Sequence, residues 1–407
     1  MRRHTMPLEM TVLMWLPLPP PFAGPEVASQ QLAKAVQELR PEVRIENATL
    51  RTTNVAKGQL DFAGVAAFAR AYTRFVAAMR GVDIVYMVAA ANRLGASRDA
   101  MLIATARAFG KRVVVHFRGG RYAEFFAEQR GIGREVLRRA WGAADEAIVQ
   151  TPRLRDQLAS VAPHVSVSVI PNGLVGREHP AKTRYAATAP RFLFVGHLAY
   201  SKGFPTLVRA FRRVRESCPS ATLVCAGELA GATPAFAEFL PADRRAQYLA
   251  DRHRIAAEIR ASLEEPGITY AGVVTGDRKT ELFRDADVFV LPSLTEGFSL
   301  ALLEAMFHGL AVVATRVGGT PDVIESDRGV LVEPEDADAL ANGMLRLAVS
   351  AELRERMGRR NAQVARTRYE LGEVAQAVVD LFDRLSSTST ARFAASASGS
   401  SGANRAK

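Results

Sequence analysis

Residues Asp287 to Gly309 read DVFVLPSLTEGFSLALLEAMFHG and contain one full strand–loop–helix unit. The apolar run Val288 to Leu291 has the length of a strand buried on both faces, as in a parallel sheet. It ends at Pro292, a loop follows, and Ser299 or a neighbour opens a helix that Gly309 closes. In an open parallel sheet, ligands sit beyond the carboxyl ends of the strands, where helix N termini offer unpaired N–H groups to anions. The loop of Gly297, Phe298 and Ser299, with Leu300 behind it, occupies such a place and can bring backbone N–H groups to a phosphate.

The same alternation of short apolar runs with amphipathic segments extends outward in both directions, the pattern of parallel sheets covered by helices. Upstream strands are predicted at Thr11–Leu16, Val43–Ala48, Ile84–Val88, Arg112–Phe117, Glu146–Gln150 and Ser166–Ile170, with helices such as Pro25–Leu39, Leu60–Arg80 and Ser97–Phe109. A second series then begins, with strands at Phe192–Val195, Thr222–Ala226, Ile268–Ala271, Val288–Leu291 and Ala311–Ala314, and an edge strand at Gly329–Val332. Between the two series, Pro, Gly and polar residues without a period read as a linker. The expected fold class is therefore α/β, with two doubly wound, Rossmann-like domains: residues 1–172, a linker at 173–190, and residues 191–370. The segment 227–266 is a helical excursion within the second domain. The Ser-, Thr-, Ala- and Gly-rich tail 386–407 is expected to lack regular structure.

Composition narrows the function. With 407 residues, two domains of similar size fit comfortably. No apolar run reaches the roughly 20 residues of a membrane-spanning helix. The best candidate, Met10 to Phe22, is broken by four prolines and lacks a small-residue cleavage site, so it reads as a first strand running into a loop. Two cysteines cannot make a disulfide framework, which fits a reducing cytoplasm. The histidines are scattered without metal-ligand spacing, so no metal is expected. The net charge of +11 points to an anionic partner, but it is spread over helix faces without a basic tail, so nucleic acid is not expected.

Two carboxylates frame the opening stretch. Glu296 lies in its loop, and Glu304 lies among Leu300, Ala301, Leu302, Leu303, Ala305, Met306 and Phe307. A carboxylate in so apolar a helix costs several kcal/mol if buried alone, so it needs donors. An arginine from a neighbouring helix or the hydroxyls of a ligand would serve equally. Seven residues separate Glu296 from Glu304. This spacing, GLAVVATRVGGTPDVI from Gly309 to Ile324, VGHLAYSKG from Val195 to Gly203 and PNG from Pro171 to Gly173 occur in one order. Together they resemble glycosyltransferase family 4 and its retaining relatives, whose two Rossmann-like domains face each other across a cleft, the GT-B architecture.

That resemblance implies a retaining, metal-independent glycosyltransferase whose donor is a nucleoside-diphosphate sugar, with no separate cofactor. Glu304 would bind the donor ribose, Glu296 the transferred sugar, and Lys202 the diphosphate. His197 stands where the family commonly has a second phosphate-binding arginine. In the first domain, PFAGPEVASQQLAKAV from Pro21 to Val36 looks like the family's glycine loop, with Gly24 near donor and acceptor. VVVHFRGGRY from Val113 to Tyr122 looks like the strand end that faces the sugar, where His116 and Arg118 are both candidates on one strand face. The last helix, 371–385, would cross back to the first domain. The Asp-x-Asp motif of metal-dependent transferases is not expected.

The acceptor would be a glycan or a lipid-linked molecule, as in bacterial cell-surface polysaccharide or glycolipid synthesis. A reversible contact with an anionic membrane is a further expectation, from the charge and from Phe68, Tyr72 and Phe75 on a helix that also carries Arg70, Arg74 and Arg80; the same helix also reads as an ordinary amphipathic helix packed on the first sheet with its aromatics in the core. A nucleotide-sugar epimerase and a catalytically silent homologue share the architecture; the KG loop together with the paired glutamates favours transfer.

Overall fold

The computed structural model describes residues 10–20, 24–47, 62–159, 161–182, 190–229, 234, 237 and 240–399. Ala48, residues 21–23 of the first glycine loop, 183–189 of the linker, part of 230–239 and the last residues of the tail lie outside them. Among the described residues there are two six-stranded sheets. The first holds β1 (Val12–Leu16), β2 (Arg44–Asn47), β3 (Ile84–Val88), β4 (Arg112–Phe117), β5 (Glu146–Val149) and β6 (Ser166–Val169). The second holds β7 (Arg191–Val195), β8 (Thr222–Ala226), β9 (Ile268–Gly272), β10 (Val288–Leu291), β11 (Ala311–Thr315) and β12 (Gly329–Val332). Every predicted strand is present, displaced by at most one residue at an end; strands such as β1, β3, β10 and β11 are fully buried apolar runs, whereas the edge strands β2 and β6 are only part-buried.

All pairings are parallel. The strand orders are β2-β1-β3-β4-β5-β6 and β12-β11-β10-β7-β8-β9, so β12 does lie at an edge. The chain reverses its direction of travel between β1 and β3, and again between β7 and β10. Such reversals open a crevice at the carboxyl ends of the strands, where α/β proteins bind ligands.

Each sheet carries a core on both faces. Along β4, Val113, Val115 and Phe117 enter one core of the first domain while Val114 enters the other, the alternation a pleated strand imposes. The second of these cores is closed by the last helix, Leu371–Gly399, whose Val374, Val378, Leu381 and Phe382 pack with Met14 and Tyr86. Arg40 donates to both carboxylate oxygens of Asp383 at 2.8 and 2.6 Å. The last helix thus lies on the first sheet.

One expectation needs correction, and a helix that had two readings is decided between them. The last helix does not stop near residue 385 but continues to Gly399, through residues expected to lack regular structure. No proline interrupts this stretch, and alanine, the best helix former, recurs in it. In the helix Phe62–Ala78, Tyr72 and Phe75 pack within the first domain, as its core reading requires. Phe75 is fully buried, edge-on to Trp15 at 5.2 Å, and Tyr72 hydrogen-bonds Thr105 at 2.9 Å. The helix turns its aromatic face inward to cover the sheet, leaving its arginines exposed. No helix among the described residues is long and apolar enough to cross a membrane.

Candidate active site at the domain junction

The reversal between β7 and β10 brings Lys202 and Glu296 together. Lys202 ends a short 3-10 turn, Tyr200–Lys202, and Glu296 lies in the loop after β10. Lys202 Nζ and Ser293 Oγ donate to the same oxygen, Glu296 Oε1, at 2.6 and 2.7 Å. The two loops are pinned backbone to backbone, with Leu294 N donating to Ser201 O at 3.0 Å. Gly203 makes this approach feasible. Its φ is +67°, and a Cβ there would lie 1.8 Å from Pro292 O.

Glu304 sits on the buried side of the next helix, Leu300–Phe307. Its Oε1 accepts from Lys279 Nζ at 2.7 Å, while Oε2 is buried and has no partner among the described residues. Burial raises the carboxyl pKa, and Lys279 offsets only part of this. Lys279 comes from the helix Gly276–Asp285 and was not singled out by the sequence. The only signal for it was the demand of Glu304 for a donor. A protein cation thus takes one oxygen, as the ion-pair reading required, although it is a lysine and not an arginine.

In front of this helix, the backbone N–H groups of Gly297, Phe298, Ser299 and Leu300 have no acceptor among the described residues. The Ser299 hydroxyl caps the helix by accepting from Leu302 N at 3.3 Å, and the Phe298 ring is buried against Tyr369 at 5.1 Å. What these residues offer a ligand is therefore backbone. His197, in the turn after β7, places Nδ1 3.4 Å from Glu228 Oε2.

From the first domain, Arg118 reaches the junction. Arg118 Nη1 donates to Asn172 Oδ1 at 3.2 Å, and Asn172 Nδ2 donates to Phe298 O at 2.9 Å. Asn172, of the PNG segment, thereby ties the end of β4 to the loop after β10, a contact 126 residues apart that sequence alone does not reveal. His116 lies two residues back on the same face, only 1% exposed, with Nδ1 2.5 Å from the Tyr86 hydroxyl. Burial and then Arg118 hold its pKa well below the usual imidazole value, so the ring is neutral. Burial also keeps Tyr86 protonated. The phenol then donates to Nδ1, leaving a proton on Nε2, which is buried without a partner among the described residues. Gly24 opens the helix Gly24–Leu39 and is exposed, with nothing within 4 Å of where a Cβ would stand.

The domains meet through glycines. A Cβ on Gly120 would lie 1.9 Å from Glu296 O, and one on Gly297 2.6 Å from Arg118 O. Nearby, Arg153 donates through N and Nε to Asp322 at 2.8 and 3.1 Å. On another side, Arg245 of the helix Ala242–Ser262 holds Glu128 with two bonds of 2.8 and 3.0 Å. The expectation of no Asp-x-Asp spacing also needs correction, since Asp285-Ala286-Asp287 and Asp336-Ala337-Asp338 have it. Asp287 stands before β10, at the opposite end from Glu296, and is held by Lys182 and Arg191 N. Asp336 caps Ala339 N and Asp338 pairs with Arg213.

Residues 189–349 match the family model described as glycosyl transferases group 1. Over 191 residues the chain is 31% identical to an uncharacterised glycosyltransferase from Methanocaldococcus jannaschii, covering 47% of this chain and 44% of that protein. The matched part spans about half the length of the curated relatives. Among solved structures, sucrose-phosphate synthase from Thermosynechococcus elongatus aligns with a TM-score of 0.73 at 20% identity, over 93% of this chain and 100% of that one. HepE from Anabaena, solved with UDP-glucose, aligns with a TM-score of 0.66 at 16% identity, over 92% of this chain and 100% of that one. At these identities the likeness is one of fold.

Proposed function

We propose, for a chain whose residues 189–349 belong to the group 1 glycosyl transferases, that the cleft transfers a sugar from a nucleoside-diphosphate sugar to an acceptor on the first domain. The observation that carries this reading is the lone buried oxygen of Glu304, behind a loop of free N–H groups and beside the Lys202–Glu296 pair. A ribose hydroxyl would satisfy Glu304 Oε2. The N–H groups of residues 297 to 300 and the Lys202 ammonium would take the diphosphate. Glu296 would accept from the hydroxyls of the transferred sugar. A fold neighbour solved with UDP-glucose supports a uridine nucleotide as the first donor to try.

As the glycosidic bond breaks, negative charge grows on the leaving diphosphate, and Lys202 and the N–H groups act on that charge. Retention follows from the family resemblance: the acceptor attacks on the face the phosphate leaves, and a phosphate oxygen takes its proton. Arg118, tied through Asn172 to Phe298, would stand on the sugar side when the domains close. Metal independence is part of the same reading, and turnover that survives EDTA would support it.

Calorimetry with UDP tests the assignment. Glu304→Ala should lose nucleotide binding, whereas Glu296→Ala should bind UDP and lose turnover. Wild-type affinity in Glu304→Ala overturns the ribose assignment.

A further inference from the structure

We infer that a cavity at the edge of the cleft is a subsite for a phosphate or carboxylate group of the acceptor. The inference rests on the transferase reading and adds a substrate class to it. The cavity, about 610 Å3, is lined by Arg93, Ala127, Glu128, Gln129 and Arg130. Arg93 follows the loop after β3, and residues 127–130 run from the end of the helix after β4, Tyr122–Glu128, to the start of the next. The cavity is therefore lined by segments that follow the neighbouring strands β3 and β4, of which β3 also borders the reversal of the sheet.

The charges in this cavity do not cancel. Glu128 is its one carboxylate, and Arg245 already holds both its oxygens, with Arg121 adding a contact at 3.4 Å. Arg93 and Arg130 are exposed and have no acidic partner among the described residues. Two guanidinium groups are thus left at a concave place without a neutralising carboxylate among the described residues. A guanidinium fork matches the oxygens of a phosphate or carboxylate.

The loop that carries Arg93 is built to stay in place. The buried Asp99 accepts from Ala90 N at 2.7 Å and from Arg98 Nε at 2.9 Å, and Asn92 caps the helix through Gly95 N at 2.8 Å. Arg245 comes from the second domain, so the cavity wall at Glu128 is completed only when the domains are together. An anionic group held here would sit on the acceptor side of the cleft, opposite the nucleotide.

The test is calorimetry with glucose 6-phosphate, and glucose as its neutral counterpart, on protein saturated with UDP so that the donor phosphate site is filled. A parallel arm measures co-sedimentation with phosphatidylglycerol and phosphatidylcholine vesicles, which separates a soluble sugar phosphate from a lipid headgroup. The expected result is binding of glucose 6-phosphate or of phosphatidylglycerol vesicles, but not of their neutral counterparts. Arg93→Ala with Arg130→Ala should weaken that binding at least tenfold and leave UDP affinity unchanged. Wild-type anion affinity in the double variant, or no anion preference in the wild type, overturns the subsite. If UDP gives no heat in the wild type, the donor reading fails; the anion titration, repeated without UDP, still decides the subsite.

Discussion

At the residue scale, the site is organised as two lysine–glutamate pairs of different kinds. Lys202 and Glu296 face each other across two loops, and in the proposed reaction each would exchange the other for a ligand. Lys279 and Glu304 form a partly buried pair in which one carboxylate oxygen is left over. Removing Lys279 strands a buried charge, so Lys279→Met should destabilise the protein by about 1–3 kcal/mol, less than a fully buried pair because the lysine is partly exposed. Urea denaturation measures this, and adding Glu304→Gln should recover part of the loss. Lys202→Ala should weaken UDP binding about tenfold or more, since a hydrogen bond to a charged group contributes about 1.5–3 kcal/mol. His197→Ala should cost less, because its ring stands beside Glu228; a larger effect of His197→Ala in the same titration would reverse the ranking.

At the element scale, one helix end is held to the linker between the domains. His308 follows the helix Leu300–Phe307, and its Nδ1 lies 3.0 Å from Pro180 O, which can only accept, so Nδ1 carries the proton. Nε2 is then the acceptor for His179 Nδ1 at 3.3 Å. Burial chiefly holds both rings at a pKa of about 4, with Lys279 and Arg366 adding to it for both and Arg284 for His308. In the unfolded chain these rings titrate near 6.5. Between about 6.5 and 4 the unfolded state binds more protons, so stability should fall as pH falls through that window and be level above it. Thermal melts at pH 7.5 and 5.0 should show the drop, and His308→Gln should shrink it. The last helix makes a separate contribution. Phe382 is buried edge-on to Tyr86 at 6.0 Å, and Phe382→Ala should cost about 3–5 kcal/mol in a urea titration.

At the scale of the whole molecule, closure depends on what is missing between the domains. Gly120 has no side chain where Glu296 O comes within 1.9 Å of a would-be Cβ, and the backbone carbonyl cannot yield as a side chain would. Gly120→Ala should therefore hold the domains apart while each stays folded. Small-angle scattering should give a larger radius of gyration, and UDP binding, which the proposed function assigns to the second domain, should persist. An unchanged radius of gyration would show that the seam is not what sets the closed distance.

The sequence by itself determined the two sheets, their strands and the neighbourhood of the paired glutamates. Those features are local: a strand buried on both faces is an unbroken apolar run, and a loop ahead of a helix is marked by its glycine and cap. It also made Glu304 a residue in need of a donor. Only the tertiary structure decided that the donor is Lys279, that Arg118 meets the second domain through Asn172 while His116 stays under Tyr86, and that Phe75 belongs to a core. Each of these rests on a contact between segments distant in the chain, and a residue's own neighbours in sequence carry no information about which distant group folding will place against it.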